Sequence, residues 1–259
     1  MSDLYRVLIL AVVQGIAEFL PISSSGHLVI LGSMLGELGE SATLEIILHA
    51  GTLGSILIVY WRKILDLLSR DRRVIVLLVI GTLPAVVVGL TIKEAFPWLI
   101  RSPLLAGAML MVTGVLLIVL GRLPATDGRY ERMGWLGALV VGCFQAVAIL
   151  PGISRSGSTI LGGRLMGLGK DDSVTFSFLL AIPAICGATT LAIKDLLDGS
   201  AATSALSGSI LCIGAITAMA VGVFALKWLI RWSKEDRLHW FAYWCLPVGA
   251  IIVGMYWLY

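Results

Sequence analysis

Long apolar segments alternate with short charged segments along the whole chain. A helix needs about 20 predominantly apolar residues to cross the hydrocarbon core of a bilayer. Six segments satisfy this requirement, and the pattern predicts membrane-spanning helices at about 43–61, 74–92, 103–121, 173–193, 208–228 and 238–258. We therefore expect an all-α integral membrane protein with six transmembrane helices.

Two further apolar segments are each interrupted by a short polar break. Pro21 and Gly26 bound the first break, and Pro151 and Gly152 open the second. The arms lie at 4–20 and 27–36 around the first break, and at 135–150 and up to about 168 around the second. Each arm is too short to span a bilayer, and irregular backbone at membrane depth must be buried in protein or face a wet cavity. We predict two re-entrant helical hairpins.

The two halves of the chain follow the same order of elements. Each half, 1–130 and 131–259, contains one predicted hairpin followed by three predicted spans. Identical residues recur 131 positions apart around the hairpins, at Gln14 and Gln145, Ser23 and Ser154, Ser25 and Ser156, and Gly26 and Gly157. An odd number of crossings starts the second half on the opposite face, so the sequence predicts inverted-topology repeats within one membrane domain.

The charged loops indicate the orientation in the membrane. The loops predicted at 62–73, 122–134 and 229–237 lie on one side and contain most of the loop Lys and Arg residues. Because cytoplasmic loops are enriched in Lys and Arg, we assign this side to the cytoplasm. Both termini then lie outside. The first hairpin enters from outside and the second from the cytoplasm, so their polar tips should meet near the midplane.

Composition supports this class and argues against others. The chain is 58% hydrophobic and 14% charged, with a mean hydropathy of +0.98. Its net charge of +3 is too small to indicate a nucleic-acid partner. The four cysteines lie singly in apolar segments without a CxxC pair. We interpret them as small apolar side chains rather than as a disulfide or metal framework.

Both breaks have the residues of an anion-binding site. Each precedes a helix N-terminus, where free backbone N–H groups and the positive end of the helix dipole favour a negative charge. Arg155 adds a fixed positive charge with forked donors that suit phosphate oxygens. Hydroxyl groups that can cap the helices or donate to an anion lie at Ser23, Ser24, Ser25, Ser154, Ser156, Ser158 and Thr159. The predicted ligand is phosphate-like.

The first break also contains groups that could perform chemistry. Ser24 and His27 are three residues apart and share a helix face, so His27 could accept a proton from Ser24. Glu18 could orient His27, act as an acid or base, or hold a divalent cation that bridges phosphates. Gln14, one turn earlier, offers neutral hydrogen bonding. Together with Arg155 and the helix ends, these groups are the working parts of phosphoryl transfer.

Structural roles compete with these functional ones. Serines at a helix break are ordinary caps, His27 could be an interior histidine, and Arg155 could be a snorkelling charge. We expect His49 and His239 to be structural. Inverted repeats with broken helices are also typical of transporters, so a transporter or lipid flippase is the main alternative function. A structural membrane scaffold is the weaker one.

At these residues the sequence resembles a known family. Gln14, Glu18 and the segment from Phe19 to His27 resemble the first signature of the bacitracin-resistance type undecaprenyl-pyrophosphate phosphatases. The segment from Pro151 to Thr159 is similar to their second signature, PGxSRSxxT. The resemblance implies a bacterial plasma-membrane enzyme that removes the terminal phosphate of undecaprenyl pyrophosphate, recycling the lipid carrier for cell-wall synthesis. It also implies an active site open to the outer face, dependence on Mg²⁺ or Ca²⁺, and a possible homodimer.

Transferred residue by residue, the resemblance implies catalytic positions and phosphate-binding positions. The implied catalytic residues are Glu18, Ser24, His27 and Arg155, and the implied phosphate-binding residues are Ser23, Ser154 and Thr159. Many members have Glu where this chain has Gln14, which cannot be an anionic metal ligand. Any metal-binding duty therefore shifts to Glu18. We expect Ser24 to attack phosphorus with help from His27, or the pair to position a water molecule, and the sequence leaves both open.

Overall fold

The computed structural model describes residues 3–35, 42–198 and 206–258, and this part of the chain is helical without a β-sheet. The described residues form ten α-helices, some joined by short 3₁₀ turns. They are α1 (Asp3–Ala17), α2 (Ser24–Leu35), α3 (Ala42–Ser69), α4 (Arg72–Ala95), α5 (Pro103–Arg122), α6 (Trp135–Val147), α7 (Arg155–Leu165), α8 (Lys170–Leu197), α9 (Gly208–Lys234) and α10 (Ala242–Leu258).

Within the described residues, six helices are long and apolar enough to cross a membrane, which confirms the six predicted spans. They cover Thr43–Ser69, Arg72–Ala95, Pro103–Arg122, Lys170–Asp195, Gly208–Lys234 and Leu238–Trp257. Large apolar side chains such as Val87, Phe224 and Ile251 remain exposed on them, as contact with lipid tails requires. The chain is therefore a multi-pass membrane protein.

One predicted loop is mostly helix. The basic loop expected at 62–73 shrinks to the two residues between α3 and α4, because α3 continues to Ser69. Lys, Arg, Leu and Asp residues follow the apolar span, and neither Gly nor Pro interrupts them, so the helix extends beyond the apolar segment. The extension begins at a kink, where Tyr60 has non-helical backbone angles (φ −104°, ψ 15°).

The two interrupted segments form pairs of short helices. The arms contain 15 and 12 residues in α1 and α2, and 13 and 11 residues in α6 and α7, too few to cross a bilayer. α1 packs against α2, and α6 packs against α7. The re-entrant course of each pair, and the face from which it enters, stay predictions.

The two halves of the chain pack into each other rather than side by side. α1 lies on α9, α6 lies on α4, and α5 packs along α10. Glycines permit the closest approaches: a Cβ atom on Gly142 would lie 2.4 Å from the carbonyl oxygen of Gly81. The first arm of each half thus rests on the second span of the other half. The division at residue 130 and its origin by inverted duplication stay predictions.

Three buried aromatic rings pack next to the first break. The ring of Phe19 lies 5.7 Å from that of Phe178, and Phe178 lies 6.3 Å from Tyr60. All three are buried, and they join the end of α1 to α8 and α3. Their packing fixes the residue before Phe19, which is Glu18.

Candidate active site

The first break contains a serine with a strained backbone conformation. Ser23 has a left-handed backbone (φ 68°), which costs about 1–2 kcal/mol for a residue with a Cβ atom. This turn lets its hydroxyl accept a hydrogen bond from the amide of Gly26 at 3.2 Å and cap α2. Gly26 in turn lies against the second break, since a Cβ there would be 2.9 Å from the Cα of Gly152. The two breaks therefore touch.

The second break repeats the cap with a different turn. Ser154 accepts from the amide of Gly157 at 3.2 Å, and the left-handed position is Gly152 (φ 95°). Thr113 of α5 fastens this turn, because its hydroxyl donates to the carbonyl of Gly152 at 2.7 Å and accepts from the amide of Ser154 at 2.9 Å. A buried side chain of a third helix thus sets the start of α7, where Arg155 is the first residue.

Glu18 is the centre of the site. Its Oε1 accepts a hydrogen bond and ion pair from Arg155 Nη2. Its Oε2 accepts from the Ser24 hydroxyl at 2.7 Å and from Gln14 Nε2 at 3.2 Å. The Glu18 side chain is 7% exposed and that of Arg155 is 17% exposed, so the pair is largely withdrawn from solvent. Residues from both predicted hairpins therefore meet, as the sequence predicts.

The site keeps hydrogen-bond donors unused. Arg155 Nη1 is buried and has no partner among the described residues. The amides of Ser24 and Ser25, and those of Arg155 and Ser156, begin their helices and likewise have no acceptor in the described part of the chain. Positive charge and open N–H groups at two adjoining helix starts make this an anion-binding arrangement.

His27 does not form the predicted pair with Ser24. Its Nδ1 lies 2.8 Å from the carbonyl oxygen of Ser23, and its Nε2 accepts from the indole N–H of Trp244 at 3.1 Å. The two rings are stacked with centroids 6.2 Å apart. Both ring nitrogens of His27 are therefore already engaged. The acceptor that the structure gives to the Ser24 proton is Glu18 instead.

The remaining predicted phosphate ligands differ in their surroundings. The hydroxyls of Ser23 and Ser25 are 3.3 Å apart, and those of Ser154 and Ser156 are 3.2 Å apart, beside the open amides. Thr159 is fully buried and donates to the carbonyl of Arg155 at 2.8 Å. Its hydroxyl also lies 2.5 Å from that of Ser177, so it joins α7 to α8. Phosphate contacts by all these residues stay predictions.

Three residues that contact the site were not among the predicted site residues. Thr113 and Trp244 come from spans distant in sequence, and nothing in their own segments distinguishes them. His49, expected to be structural, lies with Nε2 3.8 Å from Glu18 Oε2. A signal existed for it, since an ionisable residue inside a predicted span is costly and is a functional candidate by default.

The described residues do not fit a resident divalent cation. No group of three or more His, Cys, Asp or Glu side chains comes together in this part of the chain. Mg²⁺ and Ca²⁺ need oxygen ligands, yet both oxygens of Glu18 accept from donors, one of them the Arg155 cation. Gln14 turns its N–H toward Glu18, and its buried Oε1, which has no partner among the described residues, offers a cation only one neutral oxygen. The neighbours of Glu18 are hydrogen-bond donors, which suits an acceptor rather than a metal ligand.

Fold and site together define a class. A multi-pass helical membrane protein has brought a carboxylate, an arginine with unused donors and two helix starts to one buried point. Such an arrangement has the charge and the donors that suit a phosphate-like group within a membrane domain.

Comparison with known proteins agrees with this class. Residues 7–251 match the family described as Bacitracin resistance protein BacA. The chain is 75% identical to an undecaprenyl-diphosphatase of Rhodopirellula baltica over 98% of both chains. It is 38% identical to the undecaprenyl-diphosphatase of Halothermothrix orenii over 97% of both chains. The chain belongs to the bacitracin resistance protein BacA family.

Proposed function

We propose that this protein hydrolyses undecaprenyl pyrophosphate to undecaprenyl phosphate and inorganic phosphate. The observation that supports this best is the placing of unused phosphate donors, Arg155 Nη1 and the first amides of α2 and α7, beside a serine hydroxyl held by a carboxylate. Relatives that cover nearly the whole chain have the same named activity. The reaction recycles the lipid carrier for cell-wall synthesis and accounts for bacitracin resistance.

Binding uses groups that are fixed before the substrate arrives. Arg155 is anchored to Glu18 through Nη2, which leaves Nη1 for an oxygen of the terminal phosphate. The amides at the starts of α2 and α7 bind further oxygens. Donors that need no reorganisation stabilise the charge of a phosphoryl-transfer transition state, and this is the largest share of catalysis in such reactions. The prenyl tail lies along the apolar faces of the spans, among membrane lipids.

The nucleophile is the Ser24 hydroxyl and Glu18 is its base. Ser24 Oγ attacks the terminal phosphorus while its proton passes to Glu18 Oε2, 2.7 Å away. The bond from that phosphorus to the bridging oxygen breaks, and its electron pair leaves with undecaprenyl phosphate. Water then attacks the phosphoserine, regenerates Ser24 and releases inorganic phosphate. Direct attack by a water molecule activated by Glu18 is the alternative that the experiment below distinguishes.

The divalent cation, Mg²⁺ or Ca²⁺, enters in this proposal as part of the substrate. Pyrophosphate oxygens are ligands for either ion, and Mg²⁺ at phosphate sites usually keeps waters and takes few protein ligands. When bound, the cation neutralises charge on the pyrophosphate. The protein residues contribute the arginine, the helix starts and the serine–carboxylate pair.

The protein is placed in the bacterial plasma membrane with the site open to the periplasm and both termini outside. The argument is the positive-inside rule applied to the ends of α3, α5 and α9. Labelling of single cysteines introduced near residue 3 and near residue 127 with an impermeant reagent tests it. Modification at residue 127 rather than at residue 3 in intact cells would reverse the orientation. Association into a homodimer is a further proposal, tested by light scattering of the purified protein in detergent.

Phosphate release by purified protein in detergent tests the central proposal. The substrate is a C55 polyprenyl pyrophosphate with Mg²⁺, and the parent protein should release one phosphate per substrate. Ser24→Ala and Glu18→Gln should each lower kcat by about 100-fold or more. Ser69→Ala is the matched control, because that serine donates to a carbonyl of α3 outside the site. Acid quenching followed by mass spectrometry should find phosphate on Ser24. An inactive parent protein would refute the function, and a turning-over enzyme without phosphoserine would favour direct attack by water.

A further inference from the structure

His49 approaches the site from α3 and has no part in the reaction as described above. Its Nδ1 lies 2.9 Å from the carbonyl oxygen of Glu45, one turn earlier in the same helix. Because a carbonyl oxygen only accepts, Nδ1 must carry a proton. The other ring nitrogen, Nε2, lies 3.8 Å from Glu18 Oε2 and presents a lone pair when the ring is neutral. The imidazole is therefore fixed by its own helix with its free nitrogen facing the carboxylate.

This approach is set by backbone packing on a shared helix. A Cβ atom on Gly51 of α3 would lie 2.4 Å from the carbonyl oxygen of Ala215, and one on Gly15 of α1 would lie 2.8 Å from that of Ala218. Both carbonyls belong to α9 and are one turn apart on one face. The glycines let α1 and α3 rest directly on the α9 backbone. The carboxylate and the imidazole are thereby held by one rigid support.

Nε2 and Oε2 are separated by 3.8 Å, which is longer than a hydrogen bond. When the imidazole is neutral with its proton on Nδ1 and the carboxylate is ionised, both groups present acceptors and no proton lies between Nε2 and Oε2. A proton on Oε2 would turn this contact into an O–H···N hydrogen bond. The reaction proposed above supplies that proton when Ser24 attacks.

Glu18 also loses support at that moment. Ser24 leaves Oε2 as it bonds to phosphorus, while Arg155 stays on the other oxygen, Oε1. Of the two side chains that then remain on Oε2, Gln14 can only donate from the nitrogen it turns to Glu18. The side chain of His49 is 25% exposed and that of Glu18 is 7% exposed, so His49 is the more exposed of the two facing groups.

We propose that His49 is a positioning residue of the phosphatase reaction: its Nε2 accepts a hydrogen bond from Glu18 once Glu18 has taken the Ser24 proton. The inference rests on the proposed function and deepens it. It predicts an effect on kcat with little effect on KM, because His49 acts on the base rather than on the bound substrate.

Three variants separate this role from a structural one. Gln places its terminal amide where Nε2 lies, whereas Asn reaches only as far as Nδ1 and retains the contact with the Glu45 carbonyl. His49→Ala and His49→Asn should lower kcat about tenfold, in proportion to a lost buried hydrogen bond, with KM within about twofold. His49→Gln should stay within about threefold of the parent. His239→Ala is the control, since its Nδ1 makes the same kind of carbonyl contact, 2.9 Å from Asp236, far from the site.

The outcomes are distinct. Higher activity of the Asn variant than of the Gln variant would assign His49 to the Glu45 contact and overturn the proposal. Equal activity of the two variants would show that the Nε2 position is not needed and would overturn it as well. Full activity of His49→Ala, or a raised KM with kcat unchanged, would overturn it as well. Thermal unfolding of each variant shows that the protein is folded, and the Asn and Gln pair retains the test if the Ala variant does not fold. An inactive parent protein would instead refute the proposed function.

Discussion

Removing Arg155 should destabilise the protein, and removing its partner as well should restore much of the loss. Glu18 is 7% exposed and its ion-pair partner is Arg155. In Arg155→Ala the carboxylate keeps donors from Ser24 and Gln14 but has lost its counter-charge. Breaking a buried ion pair from one side costs about 3–5 kcal/mol. For a protein of this size each kcal/mol lowers Tm by about 2–4 °C, so we expect a decrease of roughly 6–20 °C.

The second substitution tests the cause. Glu18→Gln removes the charge but keeps the shape, so the double variant Glu18→Gln/Arg155→Ala should regain at least half of the lost Tm. It should remain inactive, because neither the base nor the phosphate ligand is present. Thermal unfolding of purified protein, followed by tryptophan fluorescence in one detergent, gives all the values. A Tm of the double variant equal to that of Arg155→Ala would show that charge burial is not the cause.

An exposed ion pair provides the control for that measurement. Arg231 is 81% exposed, and its Nε lies 3.7 Å from Glu235. Exposed pairs contribute at most about 1 kcal/mol, so Arg231→Ala should change Tm by only a few degrees. A loss as large as that of Arg155→Ala would mean that removal of any arginine has this effect, and the reasoning about burial would fail.

Three further predictions concern the second break and the cation. Thr113→Val leaves the buried amide of Ser154 unpaired, so it should lower the free energy of unfolding by about 1–3 kcal/mol and lower kcat. Thr113→Ser keeps the hydroxyl and should leave stability and kcat unchanged. Measurements of Tm and phosphate release check this. Gly152→Ala would place a Cβ 2.1 Å from the carbonyl oxygen of Ala106 and should prevent folding. Gly167 has φ 84° and no atom within 4 Å of a built Cβ, so Gly167→Ala should cost only about 1–2 kcal/mol of backbone strain. The yield of folded protein distinguishes the two variants. Equilibrium dialysis should find no tight Mg²⁺ site on the protein alone, while activity rises with the concentration of the Mg²⁺–pyrophosphate complex; tight binding without substrate would refute a substrate-borne cation.

The sequence predicts the elements that depend on length and polarity alone. Six apolar segments of spanning length become six long helices, and the polar breaks at Ser23 and Ser154 become capped helix starts. That Glu18 and Arg155 meet also follows from the pattern, because a charge at membrane depth needs a partner. These inferences use only the cost of placing polar groups in an apolar medium.

The hydrogen-bond partners of individual side chains could not be predicted from the sequence. The spacing of Ser24 and His27 permits a hydrogen bond, but helix periodicity says nothing of a competing indole from α10 or of a carboxylate six residues earlier. Thr113 fastens the second break from 39 residues away, and only the packing of α5 against the break reveals it. Helix packing selects which of several allowed hydrogen bonds form, and one sequence does not contain that geometry explicitly.

The charge balance of the buried site explains why a chain with Gln14 can still act on pyrophosphate. Glu18 and Arg155 cancel each other, so the empty site is close to neutral and folds without an uncompensated charge. A glutamate at residue 14 would put a second carboxylate beside one arginine, and the extra negative charge would have to be neutralised by a proton or by another cation. Gln14 instead donates to Glu18 at 3.2 Å and adds no charge. In the proposed reaction, the charge that remains to be neutralised is that of the pyrophosphate, and we propose that a cation bound to the substrate neutralises it.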